Sequence, residues 1–165
     1  MRKFNFVLLI LFCVMSISCG KNSSRPVDLP ALNSCKITIT QNGVPLKEAA
    51  VIAVSQNPAV KYRTTTGTTD NNGVAELRTY GFSGSPVGEF NVIVKKIVLE
   101  GAEEITDDFG AKQTYGGKDY NLVNKKYNNE KTTDLKIEIK TGENIFSFDV
   151  GAPVHELDES TQMWN

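Results

Sequence analysis

One stretch, Gly67-Thr68-Thr69-Asp70-Asn71-Asn72-Gly73-Val74-Ala75-Glu76-Leu77-Arg78-Thr79, limits what this chain can fold into more than any other. Asp70 to Gly73 is turn chemistry: Asx side chains that bond their own backbone, then a glycine free to take positive φ. Beyond it Ala75, Leu77 and Thr79 point one way and Glu76 and Arg78 the other, the period of two of a strand. A tight turn feeding a half-buried strand commits the chain to sheets. The other segments read as further strands laid against this one.

Cys35-Lys36-Ile37-Thr38-Ile39-Thr40 alternates cleanly, apolar at odd positions, and predicts a half-buried strand. Asn42-Gly43 is a turn signal, and Ala49 to Val54 is a short β-branched run expected to form the next strand. Asn57-Pro58 breaks it. Val60 to Thr66 reads as a strand with Val60 and Tyr62 on one face. Tyr80 to Gly88, rich in Gly and Pro, reads as a loop. Glu89 to Val94 predicts a strand with Phe90, Val92 and Val94 inward, continuing through Lys96 to Leu99.

Glu100 to Lys118 loses the pattern and is expected to be a long surface loop, with one helical turn around Glu103 to Phe109. Leu135 to Lys140 and Ile145 to Val150 read as strands joined by a hairpin turn at Thr141-Gly142-Glu143-Asn144, with Phe146, Phe148 and Val150 inward. Residues 151–165 show no period and read as a loose tail. Seven or so short strands with almost no helix predict an all-β fold, an antiparallel sandwich over residues 35–150.

The N-terminus reads differently. Arg2 and Lys3 precede an apolar run from Phe6 to Met15, and Ser16-Ile17-Ser18 precedes Cys19. Charge, length and small residues are those of a signal peptide over residues 1–18. The run is too short for a bilayer span of roughly 20 residues. Ile17-Ser18-Cys19 resembles a bacterial lipobox, although Ser16 stands where Leu is usual; the resemblance implies that Cys19 becomes the first mature residue and carries the lipid. The other reading is an ordinary secretory cut near Ser18. Residues 19–34, polar with two prolines, then read as a flexible spacer. Cys13 leaves with the signal. Cys35 reads as a small buried hydrophobe, or as the partner of Cys19 in a disulfide if no lipid is added.

Arg2 and Lys3 account for two of eighteen basic residues, so sixteen remain against nineteen acids, about −3 after export. There is no dense basic stripe, which argues against nucleic-acid binding.

Three further stretches, in this order, resemble carboxypeptidase regulatory-like domains: Asn42-Gly43-Val44-Pro45-Leu46-Lys47-Glu48-Ala49-Ala50-Val51, Thr69 to Leu77, and Gly88-Glu89-Phe90-Asn91-Val92-Ile93-Val94. Lys126 to Leu135 and Gly142 to Val150 are similar to the ending of small lipoproteins of this type in planctomycetes and related bacteria. The resemblance implies a transthyretin-like (prealbumin-like) sandwich and an accessory module rather than an activity.

Candidate chemistry is sparse, and no cofactor is expected. Asp70-Asn71-Asn72-Gly73 carries calcium-type oxygens but lacks the remaining ligands, so a turn is the stronger reading. Glu100, Glu103, Glu104, Asp107 and Asp108 are crowded enough to attract a divalent cation or a basic partner; the simpler reading is a solvated acidic loop with Lys95 and Lys96 nearby. Tyr115, Tyr120 and Tyr127, with Trp164, offer aromatic faces for a glycan, although Tyr127 also reads as core. His155 is the only histidine, which excludes multi-imidazole metal sites and argues against a Ser-His-Asp enzyme. Intradiol dioxygenases and hydroxyisourate hydrolases have related sandwiches but need several His residues. The expectation is a lipid-anchored, non-catalytic cell-envelope module with an envelope protein or a glycan as partner. A periplasmic solute or divalent-metal binder using residues 100–108 and a carbohydrate-binding accessory domain are the alternatives.

Overall fold

The alternation of Cys35 to Thr40 becomes the central strand of one sheet. The computed structural model describes residues 24–106 and 109–158. In chain order its strands are β1 (Cys35–Gln41), β2 (Val44–Pro45), β3 (Ala50–Ser55), β4 (Thr64–Thr68), β5 (Val74–Glu76), β6 (Arg78–Thr79), β7 (Phe82–Ser83), β8 (Gly88–Lys95), β9 (Ile97–Thr106), β10 (Lys112–Asn121), β11 (Lys136–Ile139), β12 (Asn144–Asp149) and β13 (Glu156–Leu157). A 3₁₀ turn covers Lys125–Asn128. The fold is all-β, as the alternation predicts.

Two sheets face each other. In the first, β12 lies on one edge of β1, while β5 and β2 share the other edge. The second runs β11-β8-β3-β4-β6-β7. Ile37, Ile39, Val51, Ala53, Ala75, Leu77, Phe90, Val92, Val94, Ile137 and Ile139 fill the space between them, and Phe146 and Phe148 pack against that core. Each fully buried Val, Leu, Ile or Phe contributes about 1.5–3 kcal/mol of hydrophobic stabilisation, before the entropy of ordering the chain is charged against it.

The stretch from Val74 to Thr79 belongs to both sheets. Ala75 pairs with Ile37 in the first sheet, and Arg78 pairs with Thr66 in the second. Leu77 is the crossing point: its N–H donates to Cys35 O at 3.0 Å and its carbonyl accepts from Gly84 N at 2.8 Å. The predicted faces hold, with Ala75, Leu77 and Thr79 buried and Glu76 and Arg78 exposed. The turn holds too. Gly73 has φ +75°, and Asp70 Oδ1 accepts from Asn72 N at 2.8 Å and Val74 N at 2.9 Å.

Several expectations are corrected. The sandwich is not wholly antiparallel: β1 and β12 run parallel from Cys35↔Asn144 to Thr40↔Asp149. Thr141 to Asn144 is therefore not a hairpin turn. β11 pairs with β8 in the second sheet and β12 with β1 in the first, so this segment crosses between sheets. Asn144 braces the crossing, accepting from Lys140 N at 2.9 Å and donating to Lys140 O at 2.9 Å and Ser34 O at 3.1 Å. Strand β4 begins only at Thr64, and residues 60–63 are irregular.

The part of the spacer that can be described is docked rather than loose. Leu29 is buried, Asn33 bridges Ser85, and Lys61 and Tyr62 Oη both bond the Asp28 carboxylate. The described part of the tail, up to Asp158, is docked as well: Leu157 pairs with Tyr120, and Asp158 N donates to Asp119 O at 2.7 Å.

Candidate functional site

The predicted acidic loop is a β-hairpin. Strands β9 and β10 pair in one register from Ile97↔Asn121 to Thr106↔Lys112, interrupted at Gly101 and Gly117, both with positive φ. No helical turn forms at Glu103 to Thr106, because those residues complete β9. Leu122 N donates to Lys96 O at 2.8 Å and closes the hairpin base against the sandwich. Beyond that base the two strands stand out as an arm, with almost every described residue exposed or half-buried. Sequence reasoning missed the arm because neither face is buried, so polar and apolar residues need not alternate.

The arm collects most of the candidate residues but does not converge them. Glu100 lies opposite Lys118, Glu103 opposite Tyr115, and Glu104 opposite Thr114. Strand alternation puts Glu100 and Glu104 on one face and Glu103 on the other. Four residues of strand separate Glu100 from Glu104 by about 13 Å, too far to share one cation. Both carboxylates also have partners. Glu104 pairs with Lys112, and Glu100 Oε1 lies 3.1 Å from His155 Nε2. Lys96, expected near the acidic group, instead reaches Lys47 O at 2.7 Å. Asp107 and Asp108 lie outside the described residues. Among the described residues no group of three His, Cys, Asp or Glu side chains is placed to hold a metal.

The aromatic residues are dispersed in the same way. Tyr120 stacks on His155, with centroids 4.1 Å apart and planes 21° from parallel, so one ring face is already covered. Positions 115 and 120 have opposite parity along β10. Tyr127 is buried in the core, and Trp164 lies outside the described residues. Cys19 also lies outside them. Cys35 is buried at the start of β1, where burial pushes its thiol up to about 11, the behaviour of a packing residue and not a nucleophile.

Asp70 is accounted for by the turn. The Val74 and Asn72 N–H groups hold its carboxyl below its ordinary value of 3.8, a fixed role that competes with metal ligation.

A concavity on the sandwich itself was not legible in the sequence. A groove of about 860 Å³ lies over the outer faces of β3, β4, β5 and β1, lined by Ala50, Ile52, Thr66, Glu76, Arg78 and Lys36 among others. It forms where β4 and β5 approach closely: a Cβ on Gly67 would lie 2.7 Å from Glu76 O. The Lys36–Glu76 ion pair, at 3.3 Å, crosses it. Its polar lining is Lys36, Thr66, Thr68, Asp70, Glu76 and Arg78, among apolar Ala50, Ile52 and Val74.

The chain matches no protein-family model and no curated protein. Among solved structures it is similar to the major pilin subunit of Bacillus cereus, at 16% identity and TM-score 0.36, over 73% of this chain and 30% of that one. It is also similar to a candidate adhesin of Bacteroides ovatus, at 15% identity and TM-score 0.39, over 77% and 45%. A 9R-lipoxygenase from Cyanothece follows at 13% identity and TM-score 0.34, over 78% and 18%. The chain thus spans less than half of each, and the likeness is a loose one of fold alone.

Proposed function

We propose that the chain is a lipid-anchored, envelope-facing sandwich module of the carboxypeptidase regulatory-like, transthyretin-like kind, with a binding or structural role and no catalysis. The observation that carries the reading is the order of features at the N-terminus. A basic start, a ten-residue apolar run and Ser16-Ile17-Ser18-Cys19 lead to a segment that is already packed on the sandwich by Leu29. Asp28 is also held, by Lys61 and Tyr62, so residues 20–27 are left as a tether, which limits the reach from Cys19 to Asp28 to about 30 Å. The three stretches that carry the family resemblance fall on neighbouring turns and strands: the β1–β2 turn through β3, the turn into β5, and β8. A domain held this close to a membrane is suited to presenting its arm or groove to a neighbour in the envelope.

The test is processing. Globomycin treatment is expected to leave the full precursor uncut. A precursor that matures normally under globomycin would remove the anchor.

A further inference from the structure

We propose that the outer edge of β9 is a strand-addition site for an extended, basic segment of another protein. The inference refines the binding-module reading but is independent of the anchor, since an unlipidated chain keeps the same edge. Three observations carry it.

The first is the edge itself. Among the described residues β9 pairs with β10 alone, so one side of all ten residues, Ile97–Thr106, has no strand beside it. Alternate residues there turn backbone N–H and C=O groups outward, which is the template that strand addition uses.

The second is the arm's thinness. β13 supports β10 only at Tyr120 and Asn121, so the outer part of the arm is two strands wide. Two strands alone are marginal in water, whereas a third adds a ladder and covers apolar surface. That surface exists: Ile97, Leu99 and Ile105, all at odd positions, are 46%, 52% and 50% exposed.

The third is charge. Glu103 places acid on one face of the edge, and Glu100 and Glu104 on the other, where they also contact His155 and Lys112. A second copy pairing β9 to β9 antiparallel would set carboxylates opposite carboxylates, which is destabilising. A strand carrying Lys or Arg opposite those positions, with β-branched residues opposite Ile97, Leu99 and Ile105, complements both features.

The experiment uses the detergent-solubilised full chain and a fluorescent ten-residue Val peptide with Lys at the three positions that lie opposite Glu100, Glu103 and Glu104. Anisotropy is expected to show saturable binding, at least tenfold weaker for a Glu-Val peptide. Affinity should also fall at least tenfold when alternate peptide amides are N-methylated, because charge is kept and the ladder is blocked. Hydrogen exchange should slow at residues 97–106 when the Lys-Val peptide is added. Glu103→Lys, at an exposed position, should weaken binding without changing the melting temperature. Equal binding of the N-methylated peptide would reduce the effect to charge attraction and overturn the proposal. So would no binding, or protection of 97–106 that grows with protein concentration in the absence of peptide, which would assign the edge to a second copy.

Discussion

Gly73 and Ile39 touch through their backbones. Ile39 N donates to Gly73 O at 2.8 Å, and a Cβ built on Gly73 would lie 2.5 Å from Ile39 O. Gly73 also holds φ +75°. Two demands therefore meet at one residue, a left-handed backbone and no side chain, and the neighbour that would have to yield is the central strand. Gly73→Ala is expected to destabilise the domain by about 1–3 kcal/mol, read as a lowered urea midpoint at unchanged slope. A variant that unfolds like wild type would mean that the turn does not dock on β1.

Asn144 holds the crossing between the sheets. Its amide is buried and its carbonyl oxygen and NH₂ both serve residues 140–142 or Ser34. Asn144→Ala should cost about 1–3 kcal/mol, because it removes four part-buried side-chain hydrogen bonds to two segments, each contributing about 0.5–1.5 kcal/mol at most. Asn144→Asp should be worse, since a carboxylate would face the carbonyls of Ser34, Lys140 and Gly142. Chemical denaturation of both variants checks the order.

Asp149 ties the β1–β2 turn to β12. Its carboxylate accepts from Gly43 N at 2.7 Å, Thr40 Oγ1 at 2.8 Å, Gly151 N at 2.7 Å and Asn42 N at 3.3 Å. These donors, Gly43 first, hold its carboxyl below the ordinary 3.8. The folded group titrates below the unfolded one, so its contribution is fully present above about pH 4 and is lost as pH falls through the folded value. The stability gap between wild type and Asp149→Asn should therefore be constant from pH 7 to 5 and shrink below pH 4. A gap that is flat across that range would show that the carboxylate's charge is not what matters.

His155 and Tyr120 fasten the C-terminal segment to the arm. His155→Ala removes both the stack and the contact with Glu100, and should speed amide exchange at Leu157 and Asp158 several-fold while leaving Val92 and Val94 unchanged.

Leu29 fastens the other end. Leu29→Ala should lower stability by about 2 kcal/mol, the low end for a large-to-small change because the site lies at the rim of the core. It should also open residues 24–33 to protease before the sandwich itself is cut.

What the sequence revealed follows from where alternation is enforced. Cys35 to Thr40 has one face in the core and one half-exposed, so its alternation is visible and the structure keeps it; in Phe90 to Val94 the inward Phe90, Val92 and Val94 are buried as expected, but Ile93 on the other face is buried as well. Asp70 to Gly73 was legible because turn chemistry is local. Strands Ile97–Thr106 and Lys112–Asn121 were not, since an arm exposed on both faces imposes no period. Thr141 to Asn144 misled for another reason. Turn residues say that the chain reverses, but not whether the next strand joins the same sheet, and only the remote partner Cys35 decides that for Asn144. The site was half legible. Glu100, Glu103, Glu104 and Tyr120 do share one hairpin, which no local pattern reveals, and strand alternation then sets Glu103 on the face opposite Glu100 and Glu104.

The central claim is a sandwich held to a membrane by a lipid on Cys19 through a short tether. The most direct measurement is palmitate labelling followed by membrane flotation, on wild type and on Cys19→Ser in the native host. Labelled wild-type protein that floats with the membranes, beside a Cys19→Ser chain that takes up no label and does not appear as a mature floating form, is the predicted result. Label on the Cys19→Ser chain, or an unlabelled wild-type protein recovered entirely in the soluble fraction, would contradict it.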